Sequence, residues 1–373
     1  MNAPIRVGIV GVNAERGWAA NAHIPALRAL PDFEITALST TRQESADAAG
    51  RVFGVGLTFG DHEALVRRPE VDLVVVTVKV PHHLEIVTAA LNAGKAVYSE
   101  WPLGRDHVEA RKMTELAASR QAKTLVGLQS RRSPAVRHVR DLIADGYLGT
   151  ILSTTMVGSS RLGGEIDAGN AYNLDQANAA SMLNVAAGHS LDAMTHVLGD
   201  FAELSALLET RRPSITVEGS GERLVKTSPD QIGILGRLET GVTASVHFRE
   251  GHHGGTGLLW EINGTEGTLQ LRAASAHPGM FDVTVSGSRG SGEIAEIPVP
   301  GALTAQTPGL DELDIMVGNV ARMYDAFASD VKRGSHDAPD FGEALSTHRL
   351  IETIQRAATS GARITHEKRE SHV

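Results

Sequence analysis

The first thirty residues restrict the architecture of this chain more than any other segment. An apolar, strand-like run, Ile5–Val10, ends at Gly11, and a helical pattern begins a few residues later. A buried strand that turns at a glycine into a helix lets backbone N–H groups approach the phosphates of a dinucleotide. The loop departs from the usual G-x-G-x-x-G because Asn13 replaces the second glycine and Gly17 comes one residue late. It predicts a phosphate cradle, with an ordinary strand–turn–helix connection as the alternative.

The rest of the first third alternates between strand and helix patterns. Residues 71–78 are almost uniformly apolar, which is typical of a strand that is covered on both faces. Short loops between alternating strands and helices predict a parallel, doubly wound α/β sheet. The predicted strands are 5–10, 33–39, 71–78, 96–99 and 124–128, and the predicted helices are 44–53, 61–66, 82–92 and 105–120.

Ligands of such sheets bind at the carboxyl ends of the strands, an edge that gathers Gly11, Ser39, Lys79 and Glu100 here. The second strand ends in Ser39–Arg42, without the acidic residue that would bond the ribose 2′-OH of NAD. Small polar residues with an arginine favour the 2′-phosphate of NADP, but the same residues also suit a plain N-cap for the next helix. The sequence therefore leaves NAD against NADP open.

The pattern changes after residue 130. Strands are predicted at 151–157, 202–209, 231–238, 242–248, 257–263, 268–271 and 281–286, which suits a largely antiparallel sheet with one open face. Gly264–Gly267 predicts a tight hairpin. Residues 211–230 and 287–310 are predicted as loops, helices at 131–143, 311–333 and 341–358 complete the region, and the tail from 366 is expected to be disordered.

Composition excludes several classes of function. The 373-residue chain has no cysteine, so it contains no disulfide, thiolate nucleophile or thiolate metal site. A formal net charge of -9 and the lack of a basic run argue against nucleic-acid binding. No stretch approaches the length of a membrane span, and residues 1–10 lead directly into the first strand. We therefore expect a cytoplasmic protein that binds neither nucleic acid nor membrane.

Four stretches make the chain resemble the glucose–fructose oxidoreductase, inositol dehydrogenase and MocA family. They are Val78–Glu85, Gly94–Leu103, Arg131–Gly149 and Ile262–Gly267. The resemblance implies a Rossmann domain at 1–130 that binds NAD. It also implies a substrate-binding domain at 131–373 with a large, mostly antiparallel open-faced sheet, through which the protein forms a homo-oligomer, either a dimer or a tetramer.

Shorter motifs favour one subgroup of this family. They are Gly11-x-Asn13-x-x-x-Gly17-Trp18-Ala19, Val78–Pro81, Glu100-Trp101 and Gly188–Asp192. The subgroup resembled contains the fungal galactose-regulon repressor and its bacterial enzyme relatives, including NAD-dependent glycosidases.

The family's catalytic residues carry over only in part. Trp101 stands where the family has a lysine, and Val185 stands where it has an aspartate four residues before the catalytic histidine, here His189. The indole of Trp101 can donate a hydrogen bond or stack on a sugar, but it supplies no ammonium. His189 is expected to act as general acid/base, with a hydrogen-bonded core histidine as the alternative. Asp192, three residues on along a helix, could orient it, and Lys79 either replaces the missing lysine or caps a surface.

The resemblance also implies the residues that line the site. Arginine and histidine at the substrate positions would suit a carboxylate, phosphate or sulfonate. The implied cofactor contacts are Gly11, Asn13, Gly17, Trp18, Ser39, Thr40, Arg42, Val78, Lys79, Pro81, His83, Glu100, Trp101 and Gln129. The candidate substrate contacts are Trp101, Arg131, Arg132, Arg161, Arg249, His252 and His253. The last three lie where a strand runs into a glycine-rich loop, for which an ordinary solvated loop is the alternative. No metal is predicted, because adjacent histidines on a strand end point in opposite directions. His83 is otherwise an ordinary helix residue.

Three functional hypotheses follow. The first is an NAD(P)-dependent oxidoreductase that acts on a ring hydroxyl of a sugar or an anionic sugar derivative. The second is an NAD-dependent glycoside hydrolase, in which oxidation, elimination, hydration and reduction give no net redox change. The third is a non-catalytic regulator that senses the nucleotide. The sequence leaves the sugar, the reacting carbon and the oligomeric state open.

Overall fold

The fold is described from a computed structural model of the chain. The structure describes residues 3–160, 165–251, 254–304, 309–310 and 312–366. The predicted disordered tail therefore lies, beyond His366, outside the described residues. The chain divides into two compact units, one formed by residues 1–129 with 305–345 and the other by residues 130–304 with 346–373.

The first unit is built on a six-stranded sheet. Its order is β3-β2-β1-β4-β5-β6 and every pairing is parallel, which confirms the predicted doubly wound topology. The strands are β1 (Ile5–Val10), β2 (Phe33–Ser39), β3 (Leu57–Phe59), β4 (Leu73–Val76), β5 (Ala96–Ser99) and β6 (Thr124–Val126). The order reverses between β1 and β4, so the carboxyl ends of these two strands flank the switch point at which such sheets bind ligands.

Short helices connect these strands. They are α1 (Ile24–Arg28), preceded by a π-helical turn at Ala19–His23, then α2 (Gln43–Phe53), α3 (His62–Val66), α4 (His83–Asn92) and α5 (His107–Ser119). The Asp61 and Asp106 carboxylates cap α3 and α5 by accepting the N–H groups of Ala64 at 2.7 Å and Glu109 at 2.8 Å. Both helices begin slightly later than predicted because a capping residue is not itself helical.

The segment 305–345 returns to the first unit, which the sequence analysis did not predict. Helix α9 (Ile315–Arg333) buries Met323, Tyr324 and Phe327 in the same apolar core as Leu27 of α1. The pattern of an amphipathic helix reveals that one face is buried, but it does not reveal which core the helix covers.

The second unit contains a nine-stranded sheet of order β17-β16-β15-β14-β7-β13-β12-β9-β18. The β7–β13 pair is parallel and the other pairs are antiparallel, which confirms the predicted sheet type. The strands are β7 (Ile151–Ser160), β9 (Phe201–Glu209), β12 (Gln231–Leu238), β13 (Thr243–Glu250), β14 (Leu258–Gly264), β15 (Gly267–Ala273), β16 (Val283–Arg289), β17 (Ala295–Glu296) and β18 (Ile364–Thr365). The predicted hairpin joins β14 to β15.

The two faces of this sheet differ. Ile232 and Val246 on adjacent strands are buried, whereas Leu207 and Leu235 are 58% and 56% exposed. The helices of this unit are α6 (Pro134–Ala144), α7 (Gly188–Leu198) and α8 (Gly301–Thr304), and α10 (Phe341–Ser360) crosses the boundary between the units. No helix in the described residues is long and apolar enough to span a membrane.

One predicted loop, 211–230, instead contains two strands of a small sheet. Its order is β11-β10-β8, formed by β8 (Glu165–Ile166), β10 (Ser214–Val217) and β11 (Arg223–Val225). Ile166 and Ile215 bury a small apolar cluster between them. The prediction was wrong because β10 and β11 are short and β10 pairs with β8, which lies far earlier in the chain. Likewise, the predicted loop 287–310 contains β17 and α8.

Candidate functional site

The turn after β1 admits only a glycine. Gly11 has a φ of 102°, in the left-handed region that residues with a Cβ avoid, and its N–H donates to the Ser39 carbonyl at 2.9 Å. A Cβ at this position would lie 2.7 Å from Cγ1 of Val78. The space that a side chain would need is therefore already filled, and the bare backbone faces the carboxyl edge of the sheet. This is the arrangement that lets a pyrophosphate approach closely.

The loop that follows is organised by a side chain. Oδ1 of Asn13 accepts the N–H groups of Glu15 at 2.9 Å and Arg16 at 3.2 Å, so the asparagine closes an Asx turn where most dinucleotide loops have a glycine. Gly17 has a φ of 100°, and a Cβ there would meet nothing within 4 Å. Gly17 is thus required for its backbone conformation alone, whereas Gly11 is required for conformation and space.

A cavity of about 840 Å³ opens beside these loops. Its volume lies in the range of cofactor sites, about 300–1,000 Å³. Of the predicted cofactor contacts, it is lined by Gly11, Asn13, Ser39, Thr40, Arg42, Val78 and Lys79. The glycine cradle and this cavity fit a dinucleotide of the NAD type.

Residues at the end of β2 have separate roles. The Thr40 hydroxyl donates to the Arg42 carbonyl at 2.8 Å and lies 2.7 Å from Oγ of Ser45, so Thr40 serves the start of α2. The Arg42 side chain is exposed and lines the cavity. Arg42 is itself the N-cap residue of α2 and makes no side-chain capping hydrogen bond, and its exposed guanidinium is a cation that suits a 2′-phosphate.

The segment after β4 brings Val78, Lys79 and Pro81 to the same edge, with Lys79 exposed. His83, which the resemblance placed near the nicotinamide, is 1% exposed. Its Nε2 lies 3.0 Å from the Val78 carbonyl and its Nδ1 lies 3.3 Å from the Leu103 carbonyl. Burial lowers the pKa of His83, which favours the neutral ring. Both ring nitrogens thus face backbone oxygens.

Glu100, at the end of β5, is held by a chain of hydrogen bonds. Its Oε1 lies 3.0 Å from Nε2 of His23, and its Oε2 accepts Nε2 of Gln129 at 3.0 Å. Nδ1 of His23 lies 2.7 Å from the Tyr324 hydroxyl. Burial raises the pKa of Tyr324 well above its usual value, so the phenol keeps its proton. Because the Glu100 carboxylate only accepts hydrogen bonds, Nε2–H of His23 donates to it, and in the neutral ring Nδ1 accepts the Tyr324 hydroxyl.

Packing holds this series of hydrogen-bonded side chains in place. The His23 ring meets the Trp18, Tyr98 and Tyr324 rings edge-on, with centroids 6.3, 5.1 and 5.8 Å away. A Cβ at Gly127 would lie 2.5 Å from Oε2 of Glu100, so the carboxylate occupies the space of a side chain. Trp101, predicted to stack on a sugar, is only 5% exposed, which leaves at most a ring edge for a ligand.

In the second unit, His189 on α7 stacks against a second histidine. The His189 and His277 ring centroids are 3.9 Å apart at an interplanar angle of 35°. Nδ1 of His277 accepts the Gly279 N–H at 3.2 Å, whereas Nδ1 of His189 is buried without a hydrogen-bond partner among the described residues. Burial lowers the pKa of His277 to about 4; burial and then His277 lower the pKa of His189 well below its usual 6.5. His189 is therefore a neutral base at pH 7.

Asp192, which the helix-face argument predicted to orient His189, is paired with Arg131 in the structure. Its two oxygens accept Nε of Arg131 at 2.8 Å and Nη2 at 2.7 Å, and Oδ1 also accepts the Thr347 hydroxyl at 3.0 Å. Arg131 is 8% exposed and Asp192 is fully buried. The Asp192 carboxylate is therefore held in a bidentate ion pair by Arg131, which is far from it in sequence.

The other predicted substrate contacts are scattered or not described. Arg132 is half-buried next to Arg131. Arg249 on β13 is half-buried, and its Nε finds no partner within the described ranges. Arg161, His252 and His253 lie outside the described residues.

Sequence reasoning missed His23, Tyr324 and His277. A lone histidine in the apolar run before Pro25 was the available signal for His23. Tyr324 and His277 carry no local signal, because each meets its partner through the fold.

Two family profiles match the chain. Residues 5–128 match GFO_IDH_MocA, an oxidoreductase family with an NAD-binding Rossmann fold. Residues 134–273 match the C-terminal domain of Gal80p.

Individual relatives include enzymes and a regulator. Dehydrogenase aclE of Aspergillus oryzae is 34% identical over 287 residues, 74% of this chain and 78% of that protein. Levoglucosan dehydrogenase of Pseudarthrobacter phenanthrenivorans is 27% identical over 289 residues, 71% of this chain and 73% of that protein. The crystal structure of a super-repressor mutant of Gal80p from Saccharomyces cerevisiae matches with a TM-score of 0.88 at 26% identity, covering 97% of this chain and 98% of that one.

Proposed function

Because the chain belongs to the GFO_IDH_MocA oxidoreductase family, we propose that it is an NAD(P)-dependent enzyme acting on a ring hydroxyl of a sugar or an anionic sugar derivative. The glycine cradle at Gly11, with its adjoining cavity, is the observation that carries the proposal. Relatives named as sugar dehydrogenases, including levoglucosan dehydrogenase and D-apiose dehydrogenase, support the substrate class.

The roles of the chain's own residues follow from their chemistry. The loops at Gly11 and Asn13 and the cavity at Ser39–Arg42 would hold the dinucleotide. His189, neutral at pH 7, would take the proton of the reacting hydroxyl. NAD, when bound, supplies the acceptor for the hydrogen and electron pair of the carbinol carbon.

A redox-neutral glycoside hydrolase is the second candidate. It is favoured by Trp101 and Val185 in place of the family's lysine and aspartate. In this candidate, Asp192 stays paired with Arg131.

One experiment separates these candidates from a regulator. The purified chain is incubated with NAD or NADP and a panel of free sugars and aryl glycosides, while absorbance at the NADH band and aglycone release are followed. The proposal expects steady NADH formation from a free sugar. Aglycone release without net NADH would replace it with the hydrolase. Tight nucleotide binding without turnover would replace it with the regulator.

We also propose that the protein forms a homo-oligomer through the open sheet face, as the exposed Leu207 and Leu235 support. A cytoplasmic location, where NAD is available, and the absence of nucleic-acid partners belong to the same proposal. Substituting both leucines with glutamate should release monomers, measured by light scattering. Wild-type chain that is already monomeric would contradict this part alone.

A further inference from the structure

The His189 ring lacks the hydrogen bond that usually orients a general base. It is 3% exposed, and its Nδ1 is buried without a partner among the described residues. Val185 stands where the family has an aspartate, and Asp192 is paired with Arg131. A general base needs its ring held in a fixed geometry toward the proton that it takes. For His189, that orientation has to come from packing.

The ring of His277 provides such packing. The His189 and His277 centroids are only 3.9 Å apart, and the planes are inclined by 35°. Two rings in contact over their faces restrict each other's rotation, and ring pairs of this kind are favourable beyond the area that they bury. Because both residues lie in the second unit, the contact depends on the fold of that unit alone.

The His277 ring is itself held by the backbone. Its Nδ1 accepts the Gly279 N–H at 3.2 Å. A Cβ at Gly279 would lie 3.0 Å from the Ser130 nitrogen and 3.2 Å from Cε1 of His277, so the backbone approaches this closely because the residue is a glycine. Burial lowers the pKa of His277 to about 4, so the ring is neutral at pH 7 and adds no charge beside His189.

A hydrogen bond next to the stack joins the same two segments. Ser190, which follows His189 on α7, donates from Oγ to the carbonyl of Ala276 at 2.8 Å. The Ala276 N–H in turn donates to the Ser159 carbonyl on β7 at 3.0 Å. The loop between β15 and β16 is thus tied to the helix and to the sheet at the residue before His277. This tie sets the His277 ring against His189.

We propose that His277 is a positioning residue, whose stacked ring holds the general base His189 in its working orientation. Ser190 and Gly279 support it by fixing the loop and the His277 ring. The inference rests on the proposed function, because His189 is a base only if the chain is such an enzyme. It requires no contact between His277 and the substrate.

Two substitutions separate the two contacts of His277. His277→Phe keeps a ring but removes the acceptor of the Gly279 N–H, so it should lower the urea midpoint while kcat stays within about three-fold of the wild type. His277→Asn keeps an oxygen near the place of Nδ1 but removes the ring. It should unfold at a higher urea concentration than His277→Phe, yet lose about 10- to 100-fold in kcat with KM unchanged.

The opposite order of the two readouts is the signature of positioning. A residue with only a structural role would lose kcat in proportion to stability, so a lower kcat in His277→Phe than in His277→Asn overturns the inference. His138, another buried histidine of the second unit, is the matched control. Its Phe and Asn variants should keep the wild-type kcat. Ser190→Ala removes the tie beside the stack and should lower kcat to a value between those of the two His277 variants.

A second measurement needs no turnover. The full chain is labelled with ¹³C at Cε1 of histidine, and the His189 signal is assigned by its loss in His189→Gln. We expect one sharp His189 signal in the wild type and in His277→Phe, and a displaced, broadened signal in His277→Asn, where the ring is free to turn. An identical signal in His277→Asn overturns the inference. Wild-type chain that binds no dinucleotide and turns over no sugar overturns the proposed function instead, while the spectra still show whether His277 holds the ring.

Discussion

His23 in the first unit and His189 in the second are both buried, at 0% and 3% exposure, and both lie against another ring. They differ in their hydrogen bonds. Both nitrogens of His23 have partners, whereas Nδ1 of His189 has none among the described residues. Burial therefore does not reveal the role of a histidine, but its partners do. We therefore expect the satisfied ring of His23 to hold structure together, and the unsatisfied ring of His189 remains a candidate functional group.

Removing His189 is the strongest way to test this difference. His189→Gln should lower kcat by about 10²–10⁴-fold, because the proton acceptor is lost, with little or no loss of stability. Turnover assays and thermal unfolding measure the two effects. His196→Gln, on the same helix, is the matched control and should keep kcat. Near-normal turnover in His189→Gln would mean that His189 is a core histidine without a catalytic role.

Asp192 tests whether His189 has a carboxylate partner after all. Asp192→Ala leaves Arg131 buried without its counter-charge and should cost about 3–5 kcal/mol in the free energy of unfolding, measured in urea. The double variant Arg131→Met with Asp192→Leu should recover most of that loss. The pH–rate profile of the double variant should keep the wild-type shape; a displaced profile would show that Asp192 does tune His189.

For His23, whose two ring nitrogens both have partners, Tyr324→Phe removes only the hydroxyl that donates to Nδ1. We expect a loss of about 1–2 kcal/mol in the free energy of unfolding, since a buried acceptor is left without its donor. Urea unfolding measures it. Tyr172→Phe does not involve His23, so it should lower the free energy of unfolding by less than Tyr324→Phe does. If the two variants are equal, the Tyr324–His23 bond contributes nothing beyond packing.

The smallest expected effect is a dependence of stability on pH. Unfolded histidines bind protons near pH 6.5, whereas the folded pKa of His277 is about 4. The unfolded state therefore binds more protons below pH 6.5, so the stability contribution is complete above that pH and is lost as the pH falls toward 4. The slope is at most about 1.4 kcal/mol per pH unit for each such histidine.

His277→Phe keeps a ring beside His189 but removes its titration. Urea unfolding between pH 7.5 and 4.5 should give a shallower dependence than the wild type. An identical dependence would mean that His277 is not the group responsible.

Local patterns in the sequence predicted the parallel sheet, the antiparallel sheet and the turn at Gly11. These features depend on hydrophobic periodicity and on backbone conformation, which are set by residues close together in sequence. Such patterns carry no information about a partner that is remote in sequence. Asp192 was three residues from His189 on a helix, yet it pairs with Arg131 and Thr347. The support of Glu100 by Tyr324 could not be predicted for the same reason. The residues that the resemblance assigned to the site remain predictions for the experiments above.

The return of residues 305–345 to the first unit has a consequence for biosynthesis. The N-terminal residues of a nascent chain leave the ribosome first, and domains generally fold as they emerge. Here the six strands are synthesised first, but the helix that completes their core is translated only after strands β7 to β17 of the second unit. The first unit must therefore wait, with apolar surface uncovered around Leu27, until residues 305–345 have been translated. Nascent chains of this protein are thus expected to depend on chaperones late in translation rather than early.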